Sequence, residues 1–147
     1  MEFAVEDLQE HMMFLTRRMD SFDLQYALML VLLELGVPSN CLGFDYIRKA
    51  VTYVYSQQGD AQACEAYAVA VAQSSRDSDV DQVEQTIRYA IKKAWEHRCE
   101  KRWRRYFPVD ESGQVPRPSN TVFISRLNVI MELFERSIGK EAACGKK

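Results

Sequence analysis

The chain has 147 residues and a formal net charge of −2, with 47% hydrophobic and 27% charged residues. This length predicts a single domain, and this balance excludes wholesale disorder. The longest apolar run, from Ala27 to Leu33, is far shorter than the ~18 to 20 residues of a membrane span. The N-terminus is acidic, whereas that of a signal peptide is basic. We therefore expect a cytoplasmic protein that crosses no membrane.

Helical patterns begin at the N-terminus. One apolar stripe at steps of four, three and four residues predicts a first amphipathic helix within residues 1–20: Leu8, Met12, Leu15 and Met19. Ser21 can cap a second helix that is apolar on nearly all sides and reaches Leu35. Gly36 and Pro38 then form a strong stop signal, because glycine accepts the left-handed position after a helix and proline cannot continue one.

Four further segments follow. A third helix is predicted from about Phe44 to Gln58, and a fourth, rich in alanine and valine, at 61–73. After a polar turn, a fifth helix begins near Val80 and reaches the late nineties. An irregular stretch then leads to a last helix that ends at Gly139, with one apolar face made of Phe123, Leu127, Ile130, Met131 and Phe134.

These patterns predict an all-α fold, namely a compact multi-helix domain containing a helix-turn-helix. The predicted organisation is an N-terminal helical extension at residues 1–20, the helix-turn-helix domain at residues 21–139 and a flexible tail at residues 140–147. Four widely spaced cysteines indicate free thiols, since they form neither a metal-knuckle pair nor a dense disulfide framework.

The charge is distributed unevenly. Residues 1–75 carry four Lys and Arg against ten Asp and Glu, a net charge of −6, whereas residues 76–147 carry fifteen against eleven, a net charge of +4. Between Arg88 and Arg105 there are eight bases and two acids. Such a local field attracts a polyanion, although an ordinary solvated helix face has the same composition.

The fifth helix divides into two faces at 100° per residue. Val83, Ile87 and Ala90 belong to an apolar side, and the opposite side holds polar and charged residues: Asp81, Gln85, Arg88, Tyr89, Lys92 and Glu96. Arg and Gln can pair with guanine and adenine edges in a major groove. Lys92, Lys93 and some of the bases from Arg98 to Arg105 suit phosphate contacts that position the helix. The fourth and fifth helices therefore have the pattern of a DNA-reading helix-turn-helix, and equally that of any two packed helices.

Three motifs resemble the C-terminal effector domain of the sporulation-initiation response regulator family. They are LGVPSNCLGFDYIRKAV at 35–51, VEQTIRYAIKKAW at 83–95 and RPSNTVFI at 117–124, and the resemblance covers roughly 24–137. It implies an all-helical domain that binds promoter boxes in double-stranded DNA. Position by position, it implies that Glu84, Gln85, Arg88 and Tyr89 face bases or adjacent phosphates and that Arg117 takes the place of a DNA-contacting lysine. It also implies pairing on DNA, for which a second copy and another regulator both stay open.

The chain departs from the family pattern in three ways. Gln85 replaces a family arginine and Tyr89 a family histidine, which predicts a different preferred box or a lower affinity, since an Arg–guanine pair is typically worth about 1–3 kcal/mol of discrimination. The turn before the fifth helix is longer by about two residues and acidic, with Asp77, Asp79 and Asp81. We also expect no phosphorylatable receiver, because residues 1–40 read as one or two helices.

Catalytic, metal and cofactor sites are not predicted. His97 and Cys99 sit two residues apart, and alternate positions on a helix do not face one another. The scattered glycines form no phosphate-binding loop. Trp103, with Tyr106 and Phe107, is expected to anchor the packing. The remaining alternative is a protein-interaction module that pairs with another regulator without binding DNA, which the acidic first half, the Asp-rich turn and Gln85 favour.

Overall fold

The computed structural model describes the backbone of residues 21–74 and 78–144, and the side chains of residues 23–74 and 78–137. Within these ranges the chain forms six α-helices and no strand: α1 (Ser21–Glu34), α2 (Leu42–Ser56), α3 (Ala63–Ala72), α4 (Val80–Glu96), α5 (Glu100–Trp103) and α6 (Asn120–Cys144). The all-α prediction is confirmed. The predicted extension at residues 1–20, and Asp77 in the turn, lie outside the described residues.

The first stop signal works as the sequence predicts. Gly36 has a φ of +90°, and the N–H groups of Gly36 and Val37 donate to the carbonyls of Leu33 and Leu32, both at 3.0 Å. These two bonds satisfy carbonyls at the end of α1 that have no partner within the helix. A third carbonyl near the end of α1 is satisfied by a residue much later in the sequence. The indole Nε1 of Trp103 donates to the carbonyl of Leu35 at 3.0 Å.

Helix α2 lies at the centre of the domain and contacts α1, α3, α4 and α6. The predicted core residues of this helix are buried, including Tyr46, Ile47 and Ala50. Its first turn crosses α4 at very short range, because a Cβ added at Gly43 would lie 2.5 Å from the Cβ of Ala90 and 3.2 Å from the carbonyl oxygen of Thr86. Gly43 is therefore the residue that lets α4 pack directly on the start of α2.

Helix α4 begins with a capping box. The Asp79 carboxylate accepts a hydrogen bond from the N–H of Gln82 at 2.8 Å, and the Gln82 side chain accepts one from the N–H of Asp79 at 3.1 Å. Two otherwise unpaired N–H groups are satisfied in this way, which fixes the start of α4 one residue after the turn.

The segment after α4 packs into the core through aromatic rings. Trp103, Tyr106 and Phe107 are buried, as predicted, and the ring centroids of Trp103 and Phe107 lie 5.2 Å apart. Phe107 stacks on Phe123 of α6 at 5.5 Å. The basic segment is thus anchored to the domain by its aromatic side chains, which lie between its charged residues in the sequence.

The last helix is longer than predicted. Its predicted apolar face is buried, including Phe123, Leu127 and Phe134. The predicted end at Gly139 is wrong, because α6 continues to Cys144. A glycine within a helix costs only about 1 kcal/mol, and the residues after Gly139 include good helix formers and no proline. Among the described residues, none of the helices has the length and hydrophobicity to span a bilayer.

Candidate nucleic-acid interface

The polar side of α4 is exposed. The residues of the apolar side are buried, namely Val83, Ile87, Ala90, Ile91 and Ala94. On the opposite side Glu84 is half-buried and the others are exposed, with Tyr89 60% exposed. We call this side the recognition face and define it as Asp81, Glu84, Gln85, Arg88, Tyr89, Lys92 and Lys93. No described element packs over the recognition face. The face can therefore enter a groove that is wide enough for a helix.

Arg88 is held by an ion pair within the recognition face. Its Nη2 donates to the Glu84 Oε1 at 2.7 Å, at the favourable spacing of four residues. The Arg88 side chain is nevertheless 66% exposed. The pair therefore sets the direction of the guanidinium without removing it from solvent, and both side chains keep hydrogen-bonding capacity for a ligand.

Tyr89 and two lysines continue the face toward the end of α4. The Nζ of Lys93 lies 5.7 Å from the centre of the Tyr89 ring, within cation–π range. Lys92 and Lys93 are both exposed and lie on neighbouring sides of the helix. This arrangement offers two positive charges about one turn beyond Arg88.

Arg117 lies beside the recognition face, although it precedes α6. A cleft of about 480 Å³ is lined by Glu84 and Arg88 of α4, Tyr67 of α3, and Arg117 and Ser119 from the start of α6. The structure thus brings Arg117 next to the α4 residues with which the sequence grouped it. Tyr67 is a lining residue that sequence reasoning missed, because it is an apolar-face residue of α3 and nothing in the local pattern distinguishes it.

A hydrogen bond sets the position of α6 relative to α4. The side-chain Nδ2 of Asn120 donates to the main-chain oxygen of Glu84 at 2.9 Å. Asn120 is only 8% exposed. Since Arg117 and Ser119 lie within three residues of Asn120, this contact holds the start of α6 beside the recognition face. Burial raises the pKa of the neighbouring Tyr67 hydroxyl, so that group stays protonated in this cleft.

The basic segment after α4 contributes fewer surface charges than its composition indicates. Arg98 donates to Glu100 at 2.8 Å and lies over the Trp95 ring, 4.2 Å from its centre. Arg104 donates to the carbonyl of Gly113 at 2.6 Å, and Arg105 donates to the carboxylate of Glu34. These three arginines brace the fold. Lys101 and Arg102 are the exposed bases of this stretch.

The remaining chemically reactive side chains are dispersed. His97 and Cys99 are both exposed at the end of α4, and the described cysteines, Cys41, Cys64 and Cys99, carry free thiols. Among the residues that the structure describes, no three metal-ligating side chains come together.

Comparison with known proteins gives one family. The model of that family, "Sporulation initiation factor Spo0A C terminal", matches residues 28–131. No curated protein matches the chain. The matched region runs from within α1 into α6, and it includes the whole recognition face and Arg117.

Proposed function

We propose that this chain, which belongs to the Spo0A C-terminal family, is a transcription regulator that binds double-stranded promoter DNA in a sequence-specific way. The family is one of DNA-binding regulatory domains of sporulation, not of enzymes. The observation that carries the proposal is the exposure of the recognition face. A helix whose apolar side is fully buried presents Gln85, Arg88 and Lys92 on the opposite side.

The recognition face supports a division of roles. Arg88 and Gln85 read base edges, because their planar groups can form paired hydrogen bonds with guanine and adenine. Glu84 orients Arg88 through the 2.7 Å ion pair. Tyr89 assists the reading residues from the same side of the helix. Asp81 lies at the edge of the face in the first turn of α4.

Phosphate contacts come from the exposed bases around the face. Lys92 and Lys93 lie one turn beyond the reading residues, and the exposed Arg117 lines the same cleft as Arg88. Charges on both sides of the reading residues can contact phosphates along the groove. Such contacts set the register of the helix without reading sequence.

Gln85 predicts a preferred DNA sequence that differs from the one preferred by family members with arginine at this position. A glutamine pairs with adenine where an arginine pairs with guanine. We therefore expect the preferred box to contain adenine at the base pair that faces Gln85, with guanine at the position that faces Arg88.

The test is a selection of random duplexes by the full chain at near-physiological salt, followed by titration of the selected duplex and a shuffled control. A regulator of this kind enriches one motif and loses affinity steeply as salt rises, because bound phosphates release counterions. Enrichment of no motif, with no salt-sensitive binding to either duplex, contradicts the proposal.

The second candidate is an interaction module that pairs with another regulator and does not bind DNA. Two observations favour it: Glu84 offsets the charge of Arg88, and Arg98, Arg104 and Arg105 are engaged inside the fold. The same selection separates the two candidates, since the interaction module gives no sequence-preferring shift at any salt concentration.

A further inference from the structure

A cleft of about 500 Å³ lies between the start of α2 and one side of α4. Residues within 36–43 line it on one side, and successive turns of α4 up to its C-cap residue His97 line it on the other. We call it the α2–α4 cleft. It lies at the opposite edge of the recognition face from the cleft that contains Arg88, because it includes Tyr89 and Lys93. Its volume is within the range of about 300–1,000 Å³ that is typical of small-molecule sites.

The α2–α4 cleft is largely apolar because small residues meet where the two helices cross. Gly43, Ala90 and Ala94 are buried at its base. Side chains this short leave a gap between the helices that larger residues would fill. At the outer edge the Tyr89 ring is 60% exposed, so apolar surface remains in water there. An apolar body that enters the cleft removes both surfaces from water, which favours binding.

The ionisable groups at the edge of the α2–α4 cleft are basic. Lys93 and His97 are both exposed and line it, and no Asp or Glu is among the described residues that do so. Within the described part of the chain, Lys93 forms no ion pair with a carboxylate. The two residues are four apart, so they lie on the same side of α4 and can contact one group. An ammonium group and an imidazole N–H both donate hydrogen bonds to a carboxylate.

We propose that the α2–α4 cleft binds a small carboxylate with an aliphatic body. The body lies over Gly43 and Ala90, against the ring of Tyr89, and the carboxylate lies between Lys93 and His97. A cation with the same body meets the charge of Lys93 and is disfavoured. A small inorganic anion gains nothing from the apolar residues. The cleft therefore selects molecules that combine an apolar body with a negative end.

Tyr89 and Lys93 belong to both the α2–α4 cleft and the recognition face, so an occupied cleft should weaken DNA binding. This consequence rests on the proposed function. A bound carboxylate neutralises Lys93 and removes a phosphate contact from the edge of the face. By thermodynamic linkage, the duplex should weaken binding of the carboxylate by the same factor. Occupation of the cleft then makes the regulator responsive to a small molecule.

The first experiment titrates the full chain with decanoate by calorimetry, below the concentration at which decanoate forms micelles. Decylammonium has the same chain and the opposite charge, and it is the matched ligand control. We expect one decanoate per chain, and binding of decylammonium that is weaker by about tenfold or more, because it loses the bonds to Lys93 and His97. Equal affinity for the two ligands, or no saturable binding of decanoate, overturns the proposal.

Two variants test where the carboxylate binds. Lys93→Met keeps an unbranched apolar side chain and removes the charge, so it should weaken decanoate binding about tenfold. Lys101→Met makes the same change at an exposed position that does not line the α2–α4 cleft, and it should leave the affinity unchanged. Circular dichroism checks that both variants are folded. An equal effect of the two substitutions contradicts the placement of the carboxylate at Lys93.

The thiol of Cys41 reports whether decanoate occupies the α2–α4 cleft, because Cys41 lines it. Cys64 is exposed on α3 outside this cleft and serves as the reference. Saturating decanoate should slow the alkylation of Cys41 by iodoacetamide several-fold and leave the rate at Cys64 unchanged, as measured by mass spectrometry of the two peptides. An unchanged rate at Cys41 overturns the proposal, because decanoate then binds elsewhere.

The last experiment repeats the duplex titration with and without saturating decanoate. We expect decanoate to raise the dissociation constant of the selected duplex several-fold in the parent and to have a much smaller effect in Lys93→Met. Equal duplex binding with and without decanoate contradicts the link between the cleft and the recognition face. The calorimetric titration contains no DNA, so a parent that binds decanoate but no duplex contradicts the proposed function alone.

Discussion

Asn120 donates a hydrogen bond from its side-chain amide to the main-chain oxygen of Glu84, 2.9 Å away, although 36 residues separate them. The bond joins the first residue of α6 to the second turn of α4. Because Arg117 lies three residues before Asn120, the bond also fixes a basic side chain next to Arg88. The cleft beside the recognition face is therefore lined by residues from separate parts of the chain.

Replacing Arg88 by alanine should reduce selectivity at one base pair by about 1–3 kcal/mol, because the paired hydrogen bonds to a guanine are lost. Competition binding with duplexes that differ at single positions measures this change. Arg136→Ala removes the same charge from an exposed position on α6 and should leave the preference intact. Unchanged discrimination in the Arg88 variant would show that Arg88 reads no base.

Replacing Lys92 by alanine should weaken binding to all sequences by a similar factor. One phosphate contact fewer lowers the slope of log affinity against log salt by about 0.9. Titrations of the selected and shuffled duplexes at several salt concentrations give this slope. Lys92→Arg keeps the charge and should preserve it, and a slope that does not change in Lys92→Ala would place Lys92 away from phosphate.

Gly43→Ala should destabilise the fold by about 1–3 kcal/mol, because the added methyl group overlaps the Cβ of Ala90 at 2.5 Å. Urea unfolding measures the loss. The same substitution should cost less in an Ala90→Gly background, where that Cβ is absent. An equal cost in both backgrounds would mean that this contact is not the source of the effect.

Glu100→Gln should make stability less dependent on pH in the acid range. Burial alone would raise the pKa of the Glu100 carboxyl, but hydrogen bonds from the N–H of Val115 at 3.0 Å and from Arg98 at 2.8 Å outweigh it and hold the pKa below 4.5. A depressed pKa contributes stability above the unfolded value, and this contribution is lost as the pH falls through the folded value.

Urea unfolding from about pH 7 to about pH 3 checks this expectation. The parent should lose more stability than Glu100→Gln below pH 4.5, and the variant should be the less stable of the two at neutral pH. Glu111→Gln removes an exposed carboxylate from the loop as a control. Parallel profiles for the parent and Glu100→Gln would contradict this account.

Local signals predicted most of the helices and the two faces of α4. The stop at Gly36 depends on one glycine with a positive φ followed by Pro38, and both effects act within a few residues. The buried side of α4 follows the 3.6-residue period, so Ile87 and Ala90 could be assigned to the core before any contact was known. Gly139 shows the opposite case, since a single glycine without a following proline did not end α6.

The partners of the basic segment could not be predicted in the same way. Arg105 binds Glu34, 71 residues earlier in the chain, and Arg104 binds the carbonyl of Gly113. A sequence shows how many charges a segment has, but the fold decides which of them reach solvent. The position of Tyr67 in the cleft could not be predicted for the same reason, because its neighbours come from α4 and from the start of α6.

The two tryptophans give the molecule a pair of built-in fluorescent reporters. Trp103 is fully shielded from water and should emit at short wavelength until the core opens. Trp95 is half-buried at the end of α4, with the Arg98 guanidinium against its ring, so its emission responds to changes near that terminus. The fluorescence of one native chain can therefore distinguish global denaturation from a local change at the end of α4.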